Sequence, residues 1–196
     1  MTGHHDDLRI PIAISARHAH LCQRTIDALF GPGHQLRARN PLRQIGQFAA
    51  QETVSMVGPH GRIENVRVMG PPRSLDQIEI SRTDEMVLGL HVPLRASGDL
   101  RNTPGLTLEG PRGAVTLTGG LVRSLRHIHM SPAEAGRLGL HDHDIVRVAV
   151  DSERPVVFGN VVVRVADDYR LELHLDTDEG NAAGVEPGTT GRILDD

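Results

Sequence analysis

Two short stretches of this 196-residue sequence carry one chemically demanding pattern: "SARHAH" at 15–20 holds Arg17, His18 and His20, and "LRHIHM" at 125–130 holds Arg126, His127 and His129. Both sit among apolar residues, where an imidazole loses hydration unless a partner replaces it. On a β-strand residues i and i+2 share a face, so each His-x-His projects its two imidazoles the same way. Such a pair can ligate one divalent cation. The alternative is a pair of ordinary histidines with hydrogen-bond partners, and it weakens when the pair recurs in the same local frame.

A cation held by two imidazoles needs further ligands, most often a carboxylate or another histidine. In "QIEISR", Glu79 lies between Ile78 and Ile80 on an apolar strand, a costly place for a carboxylate without a cation. In "LELHLDTDEGN", strand alternation puts Glu172, His174, Asp176 and Asp178 on one face and Leu171, Leu173 and Leu175 on the other. His174 is therefore a further ligand candidate. Glu172 or Asp176 could accept from imidazole N–H groups, or be solvated strand-face residues. His4, His5, His34, His60, His91, His141 and His143 read as exposed residues of turns or the terminus, and "HDHD" at 141–144 as a turn. Cys22 follows His20 closely, yet it occupies a cap-like position matching Ser131 and reads as structural. No Ser-His-Asp order and no G-x-S-x-G elbow is present.

Many short strands must position these groups. β-branched or alternating runs occur at 10–15, 52–58, 65–70, 77–81, 106–110, 114–119, 144–150, 160–165 and 171–177, with Gly, Pro and Asp between them. "VGPHGRI" and "EGPRGAV" read as hairpin turns. Two short helices follow the two His pairs. In "MSPAEAGRLGL", Ser131, Pro132 and Glu134 supply an N-cap, a first-turn proline and a capping-box acid. "LCQRTIDALFGPG" has Cys22 at the cap and Gly31 as the stop. Strand, His-x-His and short helix thus occur in both halves. The expected fold is mostly β: two small β-barrel modules related by internal duplication, each capped by short α-helices.

Composition removes several chemistries. All 21 basic side chains are arginine, so a Schiff-base lysine, a pyridoxal phosphate anchor and a P-loop lysine are impossible. Arginine does suit bidentate grips on phosphate or carboxylate. With net charge −4 and only Tyr169, Phe30, Phe48 and Phe158 as aromatics, no stacking platform for nucleic acid exists. The longest apolar runs fall far below the roughly 18 residues a membrane span requires. The start, "MTGHHDDLRIPIAIS", lacks signal-peptide features, and the lone Cys22 has no partner for an intramolecular disulfide, so a cytoplasmic location is expected.

Six blocks, "RHAHL", "GQFAAQETVSMVGPHGRIENVRVMGP", "QIEISRTD", "SGDLRNTPGLTLEGPRG", "RHIHMSP" and "LELHLDTDEGNAAG", occur in the order seen in the PduL-type phosphotransacylases, or phosphate propanoyltransferases, which this chain resembles from about Ile10 to about Gly188. The resemblance implies a central barrel at 17–124 and a second barrel from 7–16 plus 125–194, with a two-zinc site between them. It implies His18, His20 and Glu79 as ligands of one Zn2+, and His127, His129 and His174 as ligands of the other. Arg73, in "GPPRS", matches the residue that grips phosphate. Ile14, Ser15, Ala16, Met86 and Asn181 would lie near coenzyme A. Two departures fall on coenzyme contacts: Ala16 stands where the family usually has Asn, and "DEGNAA" replaces the commoner "DEANAA".

The expected reaction is therefore a short-chain acyl-CoA plus phosphate giving an acyl phosphate plus CoA, by direct attack of zinc-bound phosphate on the thioester. A homo-oligomer, a dimer, is expected. Relatives packaged in microcompartments often carry an amphipathic N-terminal extension, and the few polar residues before the first strand favour a free enzyme instead. Two other readings compete: a cupin-like metal protein, from "HIHMSPAE", and an inactive CoA- or metal-binding structural subunit. An amidohydrolase is excluded more firmly, because the chain is too short for its (β/α)8 barrel of about 250 residues.

Overall fold

The computed structural model describes residues 8–194, so His4 and His5 lie outside the described residues. The elements run β1 (Ile10–Ser15), β2 (His18–His20), α1 (Gln23–Phe30), β3 (Ala38–Pro41), β4 (Phe48–Val57), β5 (Arg62–Gly70), β6 (Gln77–Glu79) and α2 (Arg82–Leu88). There follow β7 (Leu94–Arg95), β8 (Thr107–Gly110), β9 (Gly113–Thr116) and β10 (Leu121–Ser124). The last third holds β11 (His127–Met130), α3 (Pro132–Leu138), β12 (Ile145–Asp151), β13 (Val157–Val165), β14 (Glu172–Asp176), α4 (Thr177–Ala182) and β15 (Thr190–Leu194). The protein is mostly β with short helices, as the alternating runs require.

The chain divides into two compact units, one of Met1–Ser15 with Leu125–Asp196, the other of Ala16–Ser124. The first is a closed six-stranded barrel in the order β1-β14-β11-β13-β12-β15. Inward residues of alternating strands fill it: Ile10, Ile128, Met130, Val148, Leu173 and Leu175 are wholly buried. The second unit is a nine-stranded sheet in the order β7-β10-β6-β2-β5-β4-β8-β9, with β3 on β4. Its core is built from Leu21, Ile26, Leu29, Met56, Val68, Ile78, Leu108 and Leu121. Ring closure is thus a property of the first unit.

The two units share an order of parts. The strand bearing His-x-His is parallel to the second strand of a hairpin, β5 for β2 and β13 for β11. On its other side it is antiparallel to β6 or β14. Beyond those, β10 pairs parallel with β6 and β1 pairs parallel with β14. Each outer strand directly precedes, in sequence, the His-x-His strand of the other unit.

Several local expectations change. Two helices beyond those expected, α2 and α4, are set by capping boxes: the Ser81 hydroxyl and Asp84 in α2, and Asp176 and Glu179 in α4. Asp178 therefore lies in the first turn of α4, and the strand alternation ends at Asp176, whose side chain caps the helix instead of continuing the sheet. Helix α3 has the anticipated box of Ser131 and Glu134 and stops at left-handed Gly139. Strands β3, β7, β10 and β15 gave no recognisable run because they are short or polar. His34 is half-buried where exposure was expected, because its loop returns to β4: the ring stacks on Phe30 at 5.2 Å and Nε2 lies 2.9 Å from Glu52 Oε1.

Candidate metal centres

The first cluster forms where β2 and β6 run antiparallel. Their register sets His18 directly opposite Glu79, with Ala19 opposite Ile78, so both functional side chains share a face while their apolar neighbours fill the core. His20 follows two residues along the same face. The three side chains are buried, and their candidate ligand atoms all lie within 4.8 Å of one another. His18 Nε2 is 3.2 Å from His20 Nε2 and 3.9 Å from Glu79 Oε2.

Hydrogen bonds prepare these atoms. His18 Nδ1 lies 2.8 Å from the Ala16 carbonyl, which can only accept, so Nδ1 carries the proton and Nε2 keeps its lone pair. Burial, the neighbouring His18 and the Arg73 charge drive the His20 pKa down to about 2, with Glu79 opposing, so its ring is neutral. Glu79 Oε1 accepts from Gln77 Nε2 and, at 3.1 Å, from Ser97 Oγ, while Oε2 accepts from Ser124 Oγ. Sequence spacing did not reveal Gln77, Ser97 or Ser124 as supports, since the latter two come from remote segments.

The second cluster repeats the plan. Strands β11 and β14 are antiparallel with His127 opposite His174 and His129 opposite Glu172. The rings of His127, His129 and His174 form a triangle with centroid separations of 4.6 to 4.9 Å. Their candidate ligand atoms again fall within 4.8 Å of one another. His127 Nδ1 donates to the Leu125 carbonyl at 2.8 Å, the counterpart of the His18 bond. Glu172 Oε2 lies 2.8 Å from His174 Nε2, a carboxylate–imidazole contact of the kind that orients metal-binding rings. Tyr169, which no sequence pattern singles out, stacks on His129 at 3.9 Å between ring centroids. Asp176 is occupied in capping α4.

Two imidazoles with a carboxylate, and three imidazoles, are donor sets that fit zinc or a similar borderline divalent cation. The buried, mutually close nitrogens, two of them with their protonation fixed by main-chain carbonyls, fit a bound cation better than a solvated surface role.

The other selected residues occupy several elements. Arg73 is half-buried, its main-chain N–H bonded to the Leu21 carbonyl at 2.9 Å, and its charge acts on His20 in the same unit. Ile14 and Ser15 end β1, with Ser15 opposite Asp176. Ala16 supplies the carbonyl for His18. Asn181 is an exposed residue of α4, and Met86 stands 70% exposed on α2. Cys22 occupies the N-cap position of α1 without capping it: Asp76 Oδ1 accepts its main-chain N–H at 2.8 Å, and Asp76 Oδ2 accepts from Thr25 Oγ1 at 2.7 Å.

Comparison with known proteins shows the family. The family model for phosphate propanoyltransferase matches residues 11–186. The chain belongs to the phosphate propanoyltransferase family. A phosphate propanoyltransferase of Thermotoga maritima is 49% identical over 187 residues, covering 95% of this chain and 89% of the relative. Those of Salmonella typhimurium and Shewanella putrefaciens are each 47% identical, covering 96% and 94% of this chain and 92% and 88% of the relatives. The sequence resemblance therefore holds, and with it the enzyme class, an acyltransferase of the phosphotransacylase type.

Proposed function

We propose that this phosphate propanoyltransferase family member interconverts a short-chain acyl-CoA and phosphate with an acyl phosphate and CoA, by direct attack of phosphate on the thioester. A phosphate oxygen forms the bond to the carbonyl carbon, the C–S bond breaks, and the electron pair leaves on the CoA sulfur, which takes up a proton. The chemical difficulty is that an anionic nucleophile must approach a carbonyl beside a polyanionic cofactor.

The observation that carries the reading is the His18–His20–Glu79 cluster, three buried groups with ligand atoms within 4.8 Å of one another, with the Arg73 charge acting on His20. A planar guanidinium grips two phosphate oxygens at once and fixes the attacking oxygen in orientation. His18, His20 and Glu79 would hold one Zn2+, and His127, His129 and His174 the other. Bound zinc supplies Lewis acidity toward phosphate or carbonyl oxygen and offsets substrate charge. Ile14, Ser15, Ala16, Met86 and Asn181 are assigned to contacts with coenzyme A, for which exposed Ile14 and Met86 offer apolar surface. No residue is needed as a covalent nucleophile, and Cys22 is held by Asp76 and Thr25.

The cupin-like reading loses its carboxylate, because Glu134 is bonded to Ser131 as the capping-box acid of α3. An inactive binding subunit is separated by assay. Phosphate-dependent release of free thiol from acetyl- and propanoyl-CoA is expected, with no acyl-protein adduct when phosphate is omitted. A burst of thiol or a trapped adduct would overturn direct attack, and absence of turnover by zinc-loaded protein would favour the binding subunit. His18→Ala and His127→Ala should each lose about one metal equivalent and nearly all activity. The expected homodimer is checked by light scattering on the purified chain.

A further inference from the structure

The arginine in each Arg-His-x-His has no place in the ligand sets, yet it makes the same bond in both units. Arg17 Nε donates to Asp84 Oδ1 at 2.7 Å, and Arg126 Nε lies 2.8 Å from Glu179 Oε1. In each case the acid is the third residue of a helix and the acid of its capping box. The remaining oxygen of each carboxylate accepts the N-cap main-chain N–H: Asp84 Oδ2 from Ser81 at 3.1 Å, Glu179 Oε2 from Asp176 at 3.1 Å. One oxygen thus faces the arginine and the other faces the start of the helix.

The position of these helices gives the contact its meaning. Ser81 follows Glu79 by two residues, and Asp176 follows His174 by two, so each N-cap stands one residue beyond the neighbour of the strand residue that would be the third ligand. Each arginine immediately precedes the first histidine of its pair. The ion pair therefore ties the entrance of one ligand strand to the exit of the other. The backbone register alone fixes where His18 and Glu79, or His127 and His174, stand along their strands. The arginine–carboxylate bond lies across the end of that pairing. A control lies within the chain: α3 has a capping box too, but it follows a His-x-His strand instead of a third-ligand strand, and Glu134 makes no ion pair among the described residues.

The two pairs differ in setting but share the bond. Asp84 is buried to 2% side-chain exposure beneath a partly exposed Arg17. Arg126 is further held by Phe158, whose ring centroid lies 5.2 Å from its guanidinium carbon, and by the Gly159 carbonyl at 3.2 Å. A planar fork with a fixed Nε–H direction suits such a bond, and a flexible ammonium does not.

We propose that Arg17 and Arg126 are positioning residues, each clamping its own metal cage through the capping acid of the helix after the third ligand, Asp84 for one cage and Glu179 for the other. This rests on the metal reading of the two clusters given above. The test measures zinc affinity by chelator competition, one cage at a time: His127→Ala leaves the first cage and His18→Ala leaves the second. In the His127→Ala protein, Arg17→Gln should weaken zinc binding about tenfold to a hundredfold and Arg126→Gln should leave it unchanged. In the His18→Ala protein the pattern should reverse. Arg17→Lys and Arg126→Lys, which keep a cation without the fork, should show the same selectivity with a smaller loss, and serve should a glutamine variant not fold. Equal losses at both cages, or no loss at either, would overturn the clamp while leaving the metal reading standing. Failure of the unaltered chain to bind zinc would overturn the metal reading itself, and the clamp with it.

Discussion

At the scale of single residues, protonation and one missing methyl group have measurable consequences. His20 is held neutral, with a pKa of about 2 against 6.5 for an ordinary histidine. Below 6.5 the unfolded chain takes up a proton that the folded chain refuses, so metal-free protein loses stability as pH falls from 6.5 toward 2. The slope from this group approaches about 1.4 kcal/mol per pH unit. Asp176 and Glu179, whose pKa values burial raises, act in the opposite sense as they protonate. Urea unfolding across pH should therefore show a shallower acid loss in His20→Gln than in the unaltered chain, and an unchanged slope would refute the assignment. The second residue is Gly180, where a Cβ would stand 2.2 Å from Ile14 Cδ1. The departure "DEGNAA" thus leaves room for Ile14, one of the residues assigned to coenzyme A. Gly180→Ala should force the Ile14 side chain to turn and raise KM for acyl-CoA with kcat nearly constant; an unaltered KM would remove Ile14 from that role.

At the scale of elements, α2, α3 and α4 depend on their capping boxes because none is long enough to be stable alone. Ser131→Ala should cost about 1 kcal/mol in urea unfolding and leave zinc content unchanged, since α3 follows no third-ligand strand. The α3 box was legible because Ser131, Pro132 and Glu134 stand side by side in a known order. The boxes of α2 and α4 have equally local letters, Ser81 with Asp84 and Asp176 with Glu179, but lack a first-turn proline such as Pro132 to mark the helix start. There period-two alternation masks the change of element, as it did for Asp178. Strands that pack one alternating face into a core were recognisable. Exposed β3 and two-residue β7 were not, because neither carries an apolar period.

At the scale of the whole molecule, the division of strands predicts how fragments behave. The unit of Ala16–Ser124 contains every strand it uses, whereas the barrel requires β1 between β14 and β15. Residues 16–124 expressed alone should give a cooperative unfolding transition. Residues 125–194 alone should not, until the 8–15 segment is supplied, because without β1 both neighbouring strands present unpaired edges. A cooperative 125–194 fragment would show that β1 is dispensable to the barrel. Zinc that binds only the folded chain should also raise the midpoint of thermal unfolding, and a chelator should reverse the rise.

The sequence by itself determined the mostly β character, the two His-x-His faces, and the candidacy of Glu79 and His174, because strand periodicity and ligand chemistry are local properties of residue order. It also carried the family in six ordered blocks. Only the tertiary structure decided which ligand stands opposite which histidine, that one sheet closes into a barrel while the other does not, and that Arg17 and Arg126 reach capping acids tens of residues away. Those facts depend on strand register and on contacts between distant segments, and neither leaves a periodic trace along the chain.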